Sequence, residues 1–173
     1  MTNIHDFMDS TRIDLSIKAV DVNPDQTSEM IMQYLGNLGF LNMEMNTEFG
    51  IALTEALINA IDYGCMGLDS NDKSSKLSTT DLYSEKKTTH MKDPGLKNLE
   101  IKIRISIHPQ YIAIRIQDPG PGVPEDIKPR RGLTPNGKGI LMMRQLCDKV
   151  IIRRRPSRVT LIKNRDPHET GTE

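Results

Sequence analysis

Glu55 and Asn59 stand four residues apart in a stretch where Ile51, Leu53, Ala56, Leu57, Ile58, Ala60 and Ile61 are apolar on most sides. On a helix both polar side chains project from one face, and a carboxylate buried there without a partner is costly. Something polar must meet them. A hydrated magnesium ion carrying phosphates suits, because it takes hard oxygen ligands, keeps several waters and needs few protein groups, such as one amide oxygen. Two solvated or internally bonded residues on a helix face satisfy the same spacing. Asp118 ends a run in which Ile112, Ile114 and Ile116 alternate with other residues, so its carboxylate shares the face of the isoleucines. Pro119-Gly120-Pro121-Gly122 follows, and glycines there would let a flat ligand approach the backbone, as an adenine offering its exocyclic amine to the carboxylate requires. A plain Asp-Pro-Gly turn is the competing reading. Gly137-Lys138-Gly139 comes immediately before a run of helical period that starts at Ile140. Free amides and the positive end of a helix dipole would meet an anion there. It is not a P-loop, since G-x-x-x-x-G-K-[ST] is absent, and glycines also enter helices for steric reasons alone. Lys128, Arg130 and Arg131, just upstream, could close over phosphates or form a solvated basic face.

These residues need elements to hold them. From Arg12 to Val20 the apolar Ile13, Leu15, Ile17 and Ala19 alternate with polar residues, the period of a strand with one buried face. Asn23-Pro24 reads as a helix cap with proline first, and Met30, Ile31, Tyr34, Leu35 and Leu38 repeat at helical spacing until Gly39. A second, mostly buried helix is predicted from about Asn46 to Tyr63. Residues 66–98 are rich in Ser, Thr, Lys, Asn and Asp with no sustained period, which reads as a flexible insertion. Leu99, Ile101, Ile103, Ile105 and Ile107 then alternate with polar residues, Pro109-Gln110 turns the chain, and Ile112 to Ile116 returns. Residues 119–138 read as a loop, and helical spacing resumes with Ile140, Leu141, Met143, Leu146 and Val150. Strands around Val150 to Arg154 and Arg158 to Ile162 would join at Pro156-Ser157. Paired strands with helices between them predict an α+β two-layer sandwich, a mixed, mostly antiparallel sheet covered on one face by helices.

Size and charge narrow the classes. The 173 residues suit one domain, 1–173, able to bury a core without staples. Lys plus Arg equals Asp plus Glu at 23 each, so no global field draws the chain to nucleic acid or an anionic membrane. The first residues, Met1 to Asp14, lack a basic-then-apolar leader, and no stretch is long and apolar enough to span a bilayer. A cytoplasmic protein is expected. Cys65 and Cys147 lie far apart with no zinc-ligand spacing to the four histidines. The run Arg153-Arg154-Arg155, with Arg158, reads as a solvated hairpin face or a docking surface.

Taken together and in order, the three motifs resemble the nucleotide-binding superfamily of gyrases, Hsp90, histidine kinases and MutL, a Bergerat-type ATP-binding fold. Within it, "LTEALINAIDYG" (Leu53 to Gly64) and "NGKGILMMRQLCDKV" (Asn136 to Val150) look most similar to the anti-sigma factor serine-protein kinases. That resemblance implies ATP and Mg²⁺ as cofactors, with Asn59 coordinating magnesium and Glu55 the general base toward an attacking hydroxyl. It implies adenine recognition by Asp118, Gly120 and Gly122, phosphates lined by Gly137, Lys138 and Gly139, and a weaker match at Thr160 in the last strand. It implies an anti-anti-sigma antagonist as substrate, a sigma factor as sequestered partner, and a homodimer. Tyr63 departs from the histidine that usually precedes the glycine. Two other readings fit the motifs: an ATP-dependent interaction switch without phosphate transfer, and a detached histidine kinase catalytic domain.

Overall fold

A computed structural model of the chain describes residues 11–67, 89, 92–121 and 135–165. Five strands form one sheet: β1 (Thr11–Lys18), β2 (Glu100–Ile107), β3 (Tyr111–Gln117), β4 (Lys149–Arg153) and β5 (Arg158–Asn164), in spatial order β1-β2-β3-β5-β4. Every neighbouring pair is antiparallel. Helices α1 (Pro24–Asn37), α2 (Met43–Asn59) and α3 (Pro135–Leu146) complete the described architecture, which is the α+β sandwich expected.

Period two explains the sheet. Ile103, Ile105 and Ile107 of β2 pair with Ile116, Ile114 and Ile112 of β3, and Ile114 pairs with Leu161 of β5, all buried. They pack in one core with Phe49, Leu53, Ala56 and Leu57 of α2. Each such side chain contributes about 1.5–3 kcal/mol on burial, so these two strands and α2 hold most of the fold's driving force. β1 lies at the sheet edge, and Leu15 stays 37% exposed.

Local signals set the helix ends. Asn23 Oδ1 accepts the Gln26 amide at 3.2 Å ahead of Pro24, and Gly39 takes φ +68° just beyond α1, the left-handed exit that favours glycine. α1 then lies close on α2: Ser28 Oγ donates to the Gly50 carbonyl at 2.8 Å, and a Cβ on Gly50 would stand 3.1 Å from Met32 Cγ. α2 starts at Met43, three residues before the expected Asn46, because Asn42 Oδ1 accepts the Met45 amide at 2.9 Å and caps it. Beyond Asn59 the helix widens into a π-helical segment, Ala60–Cys65, and Met66 N–H reaches back five residues to the Ile61 carbonyl at 2.9 Å.

Three further boundaries differ from expectation. β1 stops at Lys18, and Ala19–Asp21 forms a 3₁₀ turn whose Ala19 amide donates to the Leu99 carbonyl at 2.8 Å. The last part of the predicted insertion is built in: Asp93 Oδ1 caps Gly95 at 2.8 Å, Pro94–Asn98 makes a 3₁₀ turn, and Leu96 is buried in the core. α3 starts at Pro135 instead of Ile140, since proline is suited to a first helical position where its missing N–H is not needed.

Lys163, near the end of β5, ties three elements. Its Nζ donates to Glu48 Oε2 on α2 at 2.6 Å and to the Leu146 carbonyl at the end of α3 at 3.0 Å, where a cation also suits the helix dipole.

Candidate nucleotide site

α2 carries Glu55 and Asn59 on one face, as their spacing requires. That face meets α3. A Cβ on Gly139 would stand 2.6 Å from Glu55 Oε2 and 3.7 Å from Asn59 Nδ2, so a side chain there would push the Glu55 carboxylate aside. Among the described residues no side-chain hydrogen bond holds Glu55 or Asn59. The glycine motif is not a loop ahead of the helix: Gly137, Lys138 and Gly139 are all inside α3. With Pro135 first, Gly137 falls in the opening turn, whose amides lack intrahelical acceptors, while Lys138 and Gly139 fall beyond it. Gly139 therefore serves the close approach to Glu55, and the amide open to an anion is that of Gly137. Lys138 is exposed.

Just beyond the same, carboxyl-terminal end of α2 the sheet supplies Asp118. It follows β3 on the isoleucine face and is partly buried. Its Oδ1 accepts the Gly120 amide at 2.8 Å, its Oδ2 accepts the Ser157 hydroxyl at 2.7 Å, and its own amide donates to the Ser157 carbonyl at 3.2 Å. Gly64, in the π-helical segment, lies against the carboxylate, so a Cβ there would collide with Asp118 Oδ1 and Cγ. A Cβ on Gly120 would stand 2.5 Å from the Gly64 Cα. Burial raises the Asp118 carboxyl above its ordinary value, while the Ser157 hydroxyl and the Gly120 and Asp118 amides act in the opposite direction. The Cys65 thiol next along is pushed up to about 11 by burial and by the Asp118 charge, which keeps it protonated and unreactive.

Ala56, Asn59, Tyr63, Gly64, Asp118 and Ser157 line a common cavity of about 30 Å³, an order of magnitude below the roughly 300–1,000 Å³ of formed ligand sites. The cavity is narrow in this conformation, with Gly64 and Gly120 in close approach beside it. Asn59 belongs to both halves: it lines this cavity and stands beside Gly139.

The structure thus brings together Glu55, Asn59 and Gly139, and separately Asp118, Gly120 and Gly64, with Asn59 between. It does not bring Thr160. Thr160 pairs with Arg115 and Ile151 in the sheet, so it lies on the face turned away from α2, and its neighbour Val159, paired with Ile116, lines the cavity instead. Apolar Val159 and Leu161 flanking it already carried that signal. Gly122, Lys128, Arg130 and Arg131 lie outside the described residues. Ser157 was read only as a turn residue; no sequence signal marks it, because its partner lies 39 residues away.

Among the described residues no three His, Cys, Asp or Glu side chains gather to hold a metal. Magnesium needs fewer protein groups, since it keeps several waters, and the one amide oxygen that would hold it here is that of Asn59. No described helix is long and apolar enough to cross a membrane. A family model described as a histidine kinase-like ATPase domain matches residues 20–163 and so spans both halves of the site. No curated protein matches the chain.

Proposed function

The chain belongs to the histidine kinase-like ATPase domain family, and from that premise we propose that it is an ATP-dependent serine/threonine protein kinase of the anti-sigma type. In this reading it phosphorylates a small antagonist protein and, when the antagonist is phosphorylated, holds a sigma factor. The observation that supports it is the Glu55 carboxylate at the α2–α3 contact, one helical turn from Asn59 and without a hydrogen bond or ion pair among the described residues. A carboxylate kept clear of ion pairs beside a phosphate seat is placed for proton abstraction.

Asp118 takes the exocyclic amine of adenine, and the Ser157 hydroxyl holds the carboxylate in line for it. Asn59 holds Mg²⁺ through its amide oxygen, and the Gly137 amide with the α3 dipole faces the phosphates. Bound magnesium supplies neutralisation of charge on the phosphates. Glu55 Oε2 accepts the proton of a serine or threonine hydroxyl as that oxygen bonds to the γ-phosphorus and the bond to ADP breaks. Phosphoryl transfer asks little beyond such positioning and charge balance.

The narrow Asp118 cavity favours a second reading, in which ATP selects an opened conformation that docks a partner and no phosphate moves. Incubating the purified chain with Mg-ATP labelled at the γ-phosphate and a recombinant candidate antagonist separates the two. Label on serine or threonine of the antagonist, lost in Glu55→Gln while ATP stays bound, supports the kinase. Partner affinity that responds to ATP without any label supports the switch.

A further inference from the structure

Register across the sheet sets two rows of side chains on the face turned away from the helices. One row runs Asp14, Arg104, Arg115, Thr160, Ile151; the next runs Ser16, Lys102, Gln117, Arg158, Arg153. Arg104, Arg115, Lys102, Arg158 and Arg153 share these rows with a single carboxylate. Asp14 is already engaged: its Oδ1 accepts from Arg104 Nε at 2.6 Å and its Oδ2 from Arg12 Nε at 2.9 Å. Those guanidinium groups hold it below the usual carboxylate range.

Arg115 sits in the middle of this surplus. Its Nε is buried and has no hydrogen-bond partner among the described residues, although a buried donor left unmade is unfavourable. Burial, then the charges of Arg158, Arg104 and Arg12, lower its pKa. A cavity of about 260 Å³ opens beside it, lined by Asp14, Ser16, Lys102, Arg104, Arg115 and Gln117.

We propose that this face docks an acidic segment of a protein partner, one carboxylate entering the cavity to accept from Arg115 Nε and others pairing with Lys102 and Arg158. Charge complementarity selects the sign, since the one acid of the rows is consumed. Three further features select a polypeptide. The chain carries no net charge, so it lacks the field that gathers a nucleic acid. Half-buried Ala113, Ile151 and Ile162 lie on the same face and offer apolar contact to side chains. Alternate residues of an extended segment repeat at about 6.6–6.8 Å, a spacing that lets successive carboxylates meet successive cations. A second copy would set this basic face against itself. The proposal does not use the nucleotide site, which lies across the sheet.

The test is fluorescence anisotropy of a fluorescein-labelled peptide of alternating glutamate and valine, titrated with the full chain at low and at physiological ionic strength. Saturable binding is expected, weakened by salt and weakened about tenfold or more by Arg115→Gln. Lys102→Gln, at an exposed position that does not endanger folding, should weaken it about threefold, and Asp118→Asn should leave it unchanged. Absence of binding at low salt overturns the proposal, as does binding indifferent to both Arg115→Gln and Lys102→Gln. So does tighter binding of a duplex DNA oligonucleotide at the same residues, or self-association in sedimentation that Arg115→Gln abolishes.

Discussion

The two ends of α2's polar face are built in opposite ways. At Asp118 both carboxylate oxygens are bonded and two glycines close over them. At Glu55 the carboxylate lies against Gly139, and among the described residues no hydrogen bond or ion pair holds it. A group that recognises a fixed shape gains from being held before its ligand arrives. A group that must take and return a proton gains from being left unpaired. In the proposed function the sheet end recognises and the helix end does the chemistry, and substitutions can separate them.

The largest expected effect is at the open end. Glu55→Gln should lower phosphate transfer by about 10²–10⁴-fold and leave ATP affinity within about threefold; loss of affinity in equal measure would erase the distinction between the ends. Gly139→Ala comes next. Its Cβ would displace the Glu55 carboxylate, and a misplacement of that order costs about 10²-fold in turnover, read as initial rates at saturating ATP.

At the packed end, Asp118→Asn should weaken ATP by roughly 10- to 150-fold, the equivalent of about 1.5–3 kcal/mol for a hydrogen bond to a charged group, as measured by calorimetry. Its effect on stability should depend on pH. Because the folded value of Asp118 is raised, the folded chain binds more protons than the unfolded chain between the ordinary and the raised value. Stability from this group is therefore lost as pH rises through that window. The Asn variant should gain on the parent from acid to neutral pH in urea melts, and a constant difference would refute the burial account. Gly64→Ala, which forces a Cβ onto the Asp118 carboxylate, should cost about 1–3 kcal/mol in the same assay. Lys163→Met should cost least, about 1 kcal/mol, since Glu48 is partly exposed.

Much of this was legible in residue order. The isoleucine alternation of β2 and β3 set their shared face, and parity from Ile112 to Ile116 carried Asp118 to it. The two-residue turn at Pro109-Gln110 closes as read, with His108 and Tyr111 exchanging backbone bonds at 2.9 and 3.3 Å. What stayed hidden was set by contact between distant segments. Leu96 gave no period because a single buried side chain anchors its turn. The π-helical widening at Ala60–Cys65 has no pattern of its own; it brings Gly64 to Asp118, a pairing that only the folded sheet creates. Thr160 matches only through the resemblance, whereas the parity of buried Val159 and Leu161 turns it to the other face of the sheet.

The Lys163 tie bears on how α3 can move. The ammonium fastens the carboxyl-terminal end of α3 to α2 and β5, whereas nearer its amino-terminal end α3 meets the Glu55 carboxylate at Gly139. A swing of α3 about its anchored end at Leu146 would widen the gap at Glu55 while the far end keeps its place, much as a door opens from the side without the pin.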